Sequence, residues 1–109
     1  MQTPAKSPAP SQLLKALAHP LRRRILRAMS TSAPASPVGI ARTLDAPLGD
    51  VAYHFRILDE HDVLNLVDTR QVRGAREHFY RSTVKSAWAK AALEDCRRED
   101  EHDASPADR

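Results

Sequence analysis

The side chains in this sequence that could do chemistry are a phenol and several guanidinium groups, and they lie in two neighbouring stretches. Tyr53 and Arg56 belong to PLGDVAYHFRIL (residues 47–58), and three more arginines, Arg70, Arg73 and Arg76, surround a glycine further along the chain. Guanidinium groups bind phosphates and guanine edges, and a phenol both donates and accepts hydrogen bonds. These residues favour recognition of a polyanion.

Catalysis has little support in the sequence. His54 and His78 have no nucleophile or carboxylate beside them in a recognisable motif, and the three glycines form no phosphate-binding loop. Acid–base chemistry requires a positioned set of groups rather than single histidines, and His54 is better explained as a packing residue. We therefore predict that the chain is not an enzyme and uses no cofactor.

Charge is divided unevenly along the chain. Residues 94–109 hold seven acids and three bases, whereas residues 1–93 hold fourteen bases and seven acids, so the net charge of +3 hides a basic body. A basic body favours a polyanionic partner such as nucleic acid. The 109 residues divide into a disordered lead (1–10), one compact domain (11–98) and an acidic, disordered tail (99–109).

Several protein classes are disfavoured by composition. The single cysteine, Cys96, excludes an intramolecular disulfide and a cysteine-cluster zinc module. No apolar run approaches the ~20 residues that span a bilayer. Residues 1–10 also lack the apolar core of a signal peptide. We expect a cytoplasmic protein without a membrane partner.

Two helices are predicted in the first part of the chain. Ser11 can cap a leucine-rich first helix that ends at His19-Pro20. Pro20 suits the first turn of a second helix, which carries four arginines between positions 22 and 27. Those arginines could steer DNA, but a solvated helix face whose side-chain stems cover apolar surface is the more common arrangement.

A short helix, a tight turn and an amphipathic helix follow in sequence. Ser36 can cap and Pro37 can begin the short helix, and residues 45–47 form the turn. In the next helix the period places Val51, Phe55 and Leu58 on one face. The opposite face is small near its start and then polar; it consists of Gly49, Asp50, Ala52, Tyr53 and Arg56. This order and this profile are typical of a helix-turn-helix whose second helix enters a DNA major groove.

Past Asp62 the period changes from helical to alternating. Residues 63–70 and 76–82 are predicted strands, and alternation places Leu64, Leu66 and Asp68 on one side of the first. Phe79 and Tyr80 are expected to anchor the base of this hairpin. Its tip is basic, with Arg70, Arg73 and Arg76 placed to contact phosphates or the adjacent minor groove. The alternative is a solvated turn whose arginines only keep the strand edge from pairing with another chain.

A terminal helix begins after Thr83, and its first half can pack closely against another helix because alanines surround one tryptophan. Together with the first helix it favours a homodimer, and burying this surface would help so small a chain. The predicted interface residues are Leu13, Leu14, Leu17, Trp88, Ala91 and Ala92. Acids at the end of the terminal helix oppose its dipole, so fraying is expected beyond about Arg98. The predicted fold is mainly α with a small β-hairpin: a winged helix-turn-helix of five helices and a two-stranded wing.

The chain resembles the ArsR-type winged-helix transcriptional regulators from about Gln12 to Trp88. The resemblance rests on AHPLR at the second helix, YHFxxL in the fourth, and RGA followed by HFYR in the hairpin. It implies a homodimer that places paired recognition helices in major grooves roughly 34–36 Å apart on a pseudo-palindromic operator. It also implies that the fourth-helix residues listed above contact bases or nearby phosphates, with Asp50 favouring the helix N-terminus electrostatically.

The chain departs from this family where many members bind metal. The short helix reads VGIARTL without Cys, His or Asp, and the terminal helix offers Asp95, Cys96, Glu99 and His102 at a spacing that does not match the family pattern. One thiol with scattered acids falls short of a coordination set, so no metal site is predicted. His61-Asp62 also replaces a glycine that is common after the recognition helix, and Asp tolerates left-handed geometry.

Two functions remain open at this point. The first is a dimeric regulator of double-stranded DNA, acting as a repressor by occupying its operator and responding to an unknown small-molecule or protein effector. The second is a winged-helix protein-interaction module that has lost DNA binding. The acidic tail and the few hydrogen-bond donors on Gly49, Asp50 and Ala52 favour this alternative.

Overall fold

Five helices and one antiparallel hairpin make up the computed structural model, which describes residues 8–30 and 33–103, with side chains to residue 98 except Ala87. In chain order the elements are α1 (Pro10–Ala16), α2 (Pro20–Ala28), α3 (Pro37–Leu44), α4 (Leu48–Glu60), β1 (Leu64–Val72), β2 (Ala75–Ser82) and α5 (Ala87–Asp103). The predicted winged helix-turn-helix is confirmed. Residues 1–7 of the predicted lead and 104–109 of the predicted tail lie outside the described part.

Helix starts follow local chemistry, with two corrections, one of which is that α5 begins at Ala87 and not directly after Thr83. Prolines occupy the first position of α1, α2 and α3, where a missing N–H is not needed. Ser36 caps α3 as predicted, since its hydroxyl accepts from the Gly39 N–H at 3.2 Å. The predicted Ser11 cap is wrong. Because Pro10 takes the first helical position, Ser11 lies inside the first turn, and the Gln12 side chain instead accepts from the Ala9 N–H at 3.2 Å.

Helix ends also differ from the sequence prediction in two places. α1 ends at Ala16, three residues before the predicted His19-Pro20 boundary. The backbone of α5 continues to Asp103, past the expected fraying point near Arg98. Glu and Arg have high helix propensity, and the Glu94–Arg97 ion pair stabilises this segment against the unfavourable dipole.

Three consecutive arginines of α2 hold the ends of other helices. Arg22 and Arg23 donate to the carbonyls that end α1, at 2.6 to 3.1 Å. Arg24 Nη2 donates to the Leu44 carbonyl, which ends α3, at 2.9 Å. The last carbonyls of a helix have no intrahelical partner, so these guanidinium groups cap two C-termini. Neither sequence interpretation of this cluster, DNA steering or a solvated face, describes what it does.

The core lies between α2, α3 and α4, and buried residues of α1, β1 and α5 complete it. Val51, Phe55 and Leu58 are at most 1% exposed, as the helical period predicts. Ile25 and Leu26 of α2 are buried against the same cluster. Truncating an aromatic residue such as Phe55 to Ala would cost about 3–5 kcal/mol, because the cavity adds to the lost transfer free energy. This packing fixes the outer face of α4 toward solvent.

The hairpin turns through two residues rather than the longer tip predicted from sequence. Arg73 and Gly74 both have positive φ, 52° and 83°, between the paired residues Val72 and Ala75. Positive φ at both central positions is the geometry of a type I′ turn, which matches the right-handed twist of the strands. Gly74 is therefore required at the tip for conformational reasons.

A β-bulge at Val67 corrects the predicted alternation of β1. Leu66 pairs with Tyr80 and Asp68 pairs with Phe79, so one β1 residue is left over. Because cross-strand partners share a face, Leu66 and Asp68 point to opposite faces, not to the same one. The position of a bulge depends on how the two strands pair, so the alternation of residues in one strand does not predict it.

Only one of the two predicted aromatic anchors of the wing is attached to the core. The Tyr80 ring packs edge-on against Phe55 with centroids 5.3 Å apart, and its backbone exchanges hydrogen bonds of 2.9 and 2.8 Å with Ala35. Phe79, on the other face, lies beneath the Arg70 guanidinium instead. Asp62, with φ 62°, adopts the left-handed geometry expected of it before β1.

Candidate nucleic-acid interface

The outer face of α4 presents all five of the predicted contact residues to solvent; they are Gly49, Asp50, Ala52, Tyr53 and Arg56. An added Cβ at Gly49 would meet no heavy atom within 4 Å, so the start of this face is open to a close approach. Pro47 precedes the helix without a side-chain cap. The first-turn N–H groups and the helix dipole therefore favour an anionic group at this end.

Tyr53 and Arg56 form the hydrogen-bonding part of the face. The Arg56 Cζ lies 5.7 Å from the centroid of the Tyr53 ring, within cation–π range. Tyr53 is 50% exposed and packs edge-on against His54 at 5.1 Å between centroids. The contact with His54 restricts the rotation of the Tyr53 ring, and the Tyr53 ring in turn restricts the position of the Arg56 guanidinium. Both polar groups are thus partly ordered on the exposed face of α4.

The three wing arginines are not equivalent. Arg70 Nε forms an ion pair with Asp68 Oδ2 at 2.9 Å, and its Cζ lies 4.4 Å from the centroid of the Phe79 ring. Within the described part of the chain no carboxylate pairs with Arg73 or Arg76, and both are exposed. Arg73 stands at the tip itself, and Arg76 pairs across the hairpin with Gln71. Of these three arginines, Arg73 and Arg76 therefore carry the positive charge that no described carboxylate offsets.

Comparisons with known proteins agree with this geometry. Residues 17–67 match a family model described as a helix-turn-helix domain. Among solved structures, reduced HlyU from Vibrio cholerae N16961 is 26% identical, covers 81% of this chain and 84% of its own, and superposes with a TM-score of 0.57. The fold is that of the ArsR-type winged-helix transcriptional regulators.

Two further structures extend the comparison at the level of fold. The AntR antimony-specific transcriptional repressor is 20% identical, with 84% of this chain and 78% of that chain covered and a TM-score of 0.58. A structure described as an ArsR family transcriptional regulator is 21% identical to this chain, and the match covers 88% of this chain and 93% of that chain with a TM-score of 0.51. None of the curated protein sequences compared with this chain matches it. The predicted ArsR resemblance is confirmed.

In this winged-helix frame the predicted dimer residues fall into two groups. Leu13 and Leu17 are 1% and 7% exposed and belong to the core of the chain itself, so their side chains are already packed. Leu14 and Trp88 are 63% and 49% exposed. Ala91 is exposed and Ala92 is half-buried against the core. Of the predicted interface residues, Leu14, Trp88 and Ala91 are therefore the ones whose side chains are exposed.

Side chains of the types that bind metal ions are dispersed in the described part of the chain. No three His, Cys, Asp or Glu side chains lie close enough together there to hold an ion. Cys96 is half-buried and packs against the core, and Asp95 is exposed. Within residues 8–30 and 33–103, no helix has the length and apolarity needed to cross a bilayer.

His54 is the site-related residue that sequence reasoning placed only at the edge of α4. It is 8% exposed, its buried Nδ1 has no hydrogen-bond partner among the described residues, and its ring lies 4.3 Å from that of His19. Burial lowers the pKa of His54 below its usual value, and His19 and Arg22 lower it further, against a smaller opposing effect of Asp50. His54 thus joins α4 to the start of α2, and its lowered pKa favours the neutral form of the ring. The HPLR motif was the available signal, because it brings His19 to this junction.

Proposed function

We propose that this protein is a sequence-specific, homodimeric regulator of transcription that binds double-stranded DNA and represses by occupying its operator. One observation carries the proposal. Exposed cations lie on the wing, and an exposed polar face lies on α4. These are the two elements with which a winged helix-turn-helix contacts DNA. The basic charge of residues 1–93 supplies the long-range attraction.

Contacts are divided between the two elements. Arg56 and Tyr53 read base edges in the major groove, where Arg pairs with guanine and a phenol donates to acceptors. Arg73 and Arg76 bind phosphates or enter the adjacent minor groove, which fixes the orientation of the protein. Gly49 and Ala52 allow the helix backbone to approach closely. With few donors on the helix, DNA shape read by the wing carries a large share of the specificity.

The homodimer joins through Leu14, Trp88 and Ala91, which expose apolar surface on α1 and α5. A two-fold axis between the protomers places the recognition helices one helical turn of DNA apart, roughly 34–36 Å. The operator is therefore a pseudo-palindrome. A dimer bound there excludes other proteins from the same DNA, which is sufficient for repression.

The test is to sequence genomic fragments retained by the purified protein and then measure affinity for the enriched site by fluorescence anisotropy. We expect a pseudo-palindromic site, and we expect Arg56→Ala to change the preference among site variants. Arg98→Ala, which removes an exposed cation from α5, is the matched control and should leave that preference unchanged. Retention of no fragment above background would contradict the proposal and favour the protein-interaction module.

The dimer is tested separately by sedimentation. Leu14→Ala/Trp88→Ala should shift the protein to monomer at concentrations where the parent is dimeric. Leu66→Ala, which trims an exposed leucine on the hairpin, is the control. A parent protein that is monomeric throughout, or variants that all remain dimeric, would contradict this interface.

A further inference from the structure

A partly open cavity of about 660 Å³ lies between the end of α2, the end of β2 and α5, well away from the outer face of α4. This α2–α5 cavity has an apolar floor formed by Val84 and Leu93; Leu26 and Met29 also line it but are only 1% and 2% exposed. Its volume falls within the range of small-molecule binding sites. An apolar floor of this size favours a ligand with a hydrocarbon or aromatic body.

The wall of the α2–α5 cavity is strongly cationic. Five of the lining residues are Lys or Arg, contributed by α2, β2, the segment after it and α5; they are Arg27, Arg81, Lys85, Lys90 and Arg97. Glu94 is the single acid among the described residues of this lining, and it pairs with Arg97. Arg81, Lys85 and Lys90, which are exposed, therefore place positive charge beside the apolar floor. An anionic head group would relieve repulsion among these cations.

The α2–α5 cavity is distinct from the surface proposed for dimerisation. Along α5, Ala89 and Leu93 face the core. Helical spacing places Lys90 and Arg97 on one side of these two residues, and it places Trp88 and Ala91 on the other side. The two surfaces of one helix can therefore be occupied together. The cavity also reaches Arg81 and Ser82, where the wing ends.

We propose that the α2–α5 cavity is a binding site for a small amphipathic carboxylate. The apolar body lies against Val84 and Leu93 and along the methylene stems of the lining cations, and the carboxylate is held by Arg81, Lys85 and Lys90. A ligand in this position joins the base of the wing to α5. This inference goes beyond the proposed function, and ligand binding does not require that DNA is bound.

The experiment is isothermal titration calorimetry of the full chain without DNA, using sodium octanoate as the probe. 1-Octanol and octyltrimethylammonium provide the same body with a neutral and a cationic head. We expect one octanoate per protomer, weaker binding of the alcohol and no binding of the cation. Lys85→Ala/Lys90→Ala should weaken octanoate by about tenfold, since two partly exposed charge pairs are lost.

The matched control is Lys15→Ala/Arg98→Ala, which removes two exposed cations outside the cavity and should leave octanoate binding unchanged. All four substituted side chains are exposed, so the variants should fold, and circular dichroism checks this. No octanoate binding, equal binding of the cationic probe, or equal weakening in both double variants would overturn the site. Octanoate binding with failure to bind DNA would support the site and contradict only the proposed function.

Discussion

Arginines at two places in this molecule have the same chemistry and opposite uses. On α2, Arg22, Arg23 and Arg24 donate to carbonyls at the ends of α1 and α3, so their charge stabilises the fold. On the wing, Arg73 and Arg76 are exposed and pair with no carboxylate in the described part of the chain. A guanidinium serves the fold where helix ends converge on it, and is available to a ligand where only a turn surrounds it.

The largest effect should come from the α2 arginines, and it should be on stability. Arg22→Ala/Arg23→Ala leaves the last carbonyls of α1 without their charged donors, which should lower the free energy of unfolding by about 2 kcal/mol. Urea denaturation followed by circular dichroism measures this. DNA affinity of the folded variant should stay within about twofold of the parent. A large loss of affinity with unchanged stability would reverse the roles assigned to the two clusters.

The wing arginines should show the opposite pattern. Arg73→Ala/Arg76→Ala should weaken DNA binding by about tenfold at low salt and reduce the salt dependence of binding, because fewer counterions are released. The free energy of unfolding of this double variant should differ from that of the parent by less than about 0.5 kcal/mol, as for substitutions at other exposed positions. Fluorescence anisotropy across a salt series tests this, with Arg98→Ala as the exposed control. An unchanged salt slope would argue against phosphate contacts by the wing.

Arg70 should fall between the two clusters. It lies on the wing but is held by Asp68 and Phe79 on one face of the hairpin. Arg70→Ala should therefore weaken DNA binding by only about twofold to threefold, since an exposed ion pair and a cation–π contact already engage the guanidinium. The same anisotropy assay compares Arg70→Ala with Arg73→Ala. Equal losses for the two would show that the Asp68 pairing does not restrain Arg70.

The smallest effect should be a pH dependence at the junction between α2 and α4. Because the pKa of His54 is lowered in the folded chain, the unfolded chain binds the proton more readily. The stability contributed by neutral His54 is complete above the ordinary pKa of about 6.5 and is lost as the pH falls below it. Urea midpoints at several pH values measure this for the parent and for His54→Leu.

The charged and titratable groups at this junction are His19 and Arg22 from the start of α2 and Asp50 from α4 itself. His54→Leu should flatten the decline of the urea midpoint between pH 7.5 and 5.5. His78→Leu, at an exposed hairpin histidine, is the control and should retain the parent profile. Identical profiles for all three proteins would exclude His54 as the source.

Features set by neighbours along the chain were predictable. Helical period placed Val51, Phe55 and Leu58 inward and the five polar or small residues of α4 outward. Pro20 and Pro37 marked helix starts, and the glycine after Arg73 marked the turn. These features depend on backbone conformation and on side chains within a few residues, so the order of elements and the winged-helix fold followed from the sequence.

Features set by contacts between distant residues required the tertiary structure. Period alone could not show that α2 arginines reach the ends of α1 and α3, or that pairing with β2 leaves a bulge at Val67. Nor could it show that Asp68 and Phe79 restrain Arg70, or that His54 meets His19. The sequence determined which residues carry charge and which face of each helix is apolar. The tertiary structure decided which charges stabilise the fold and which remain available to a ligand, because that depends on packing between elements far apart in the chain.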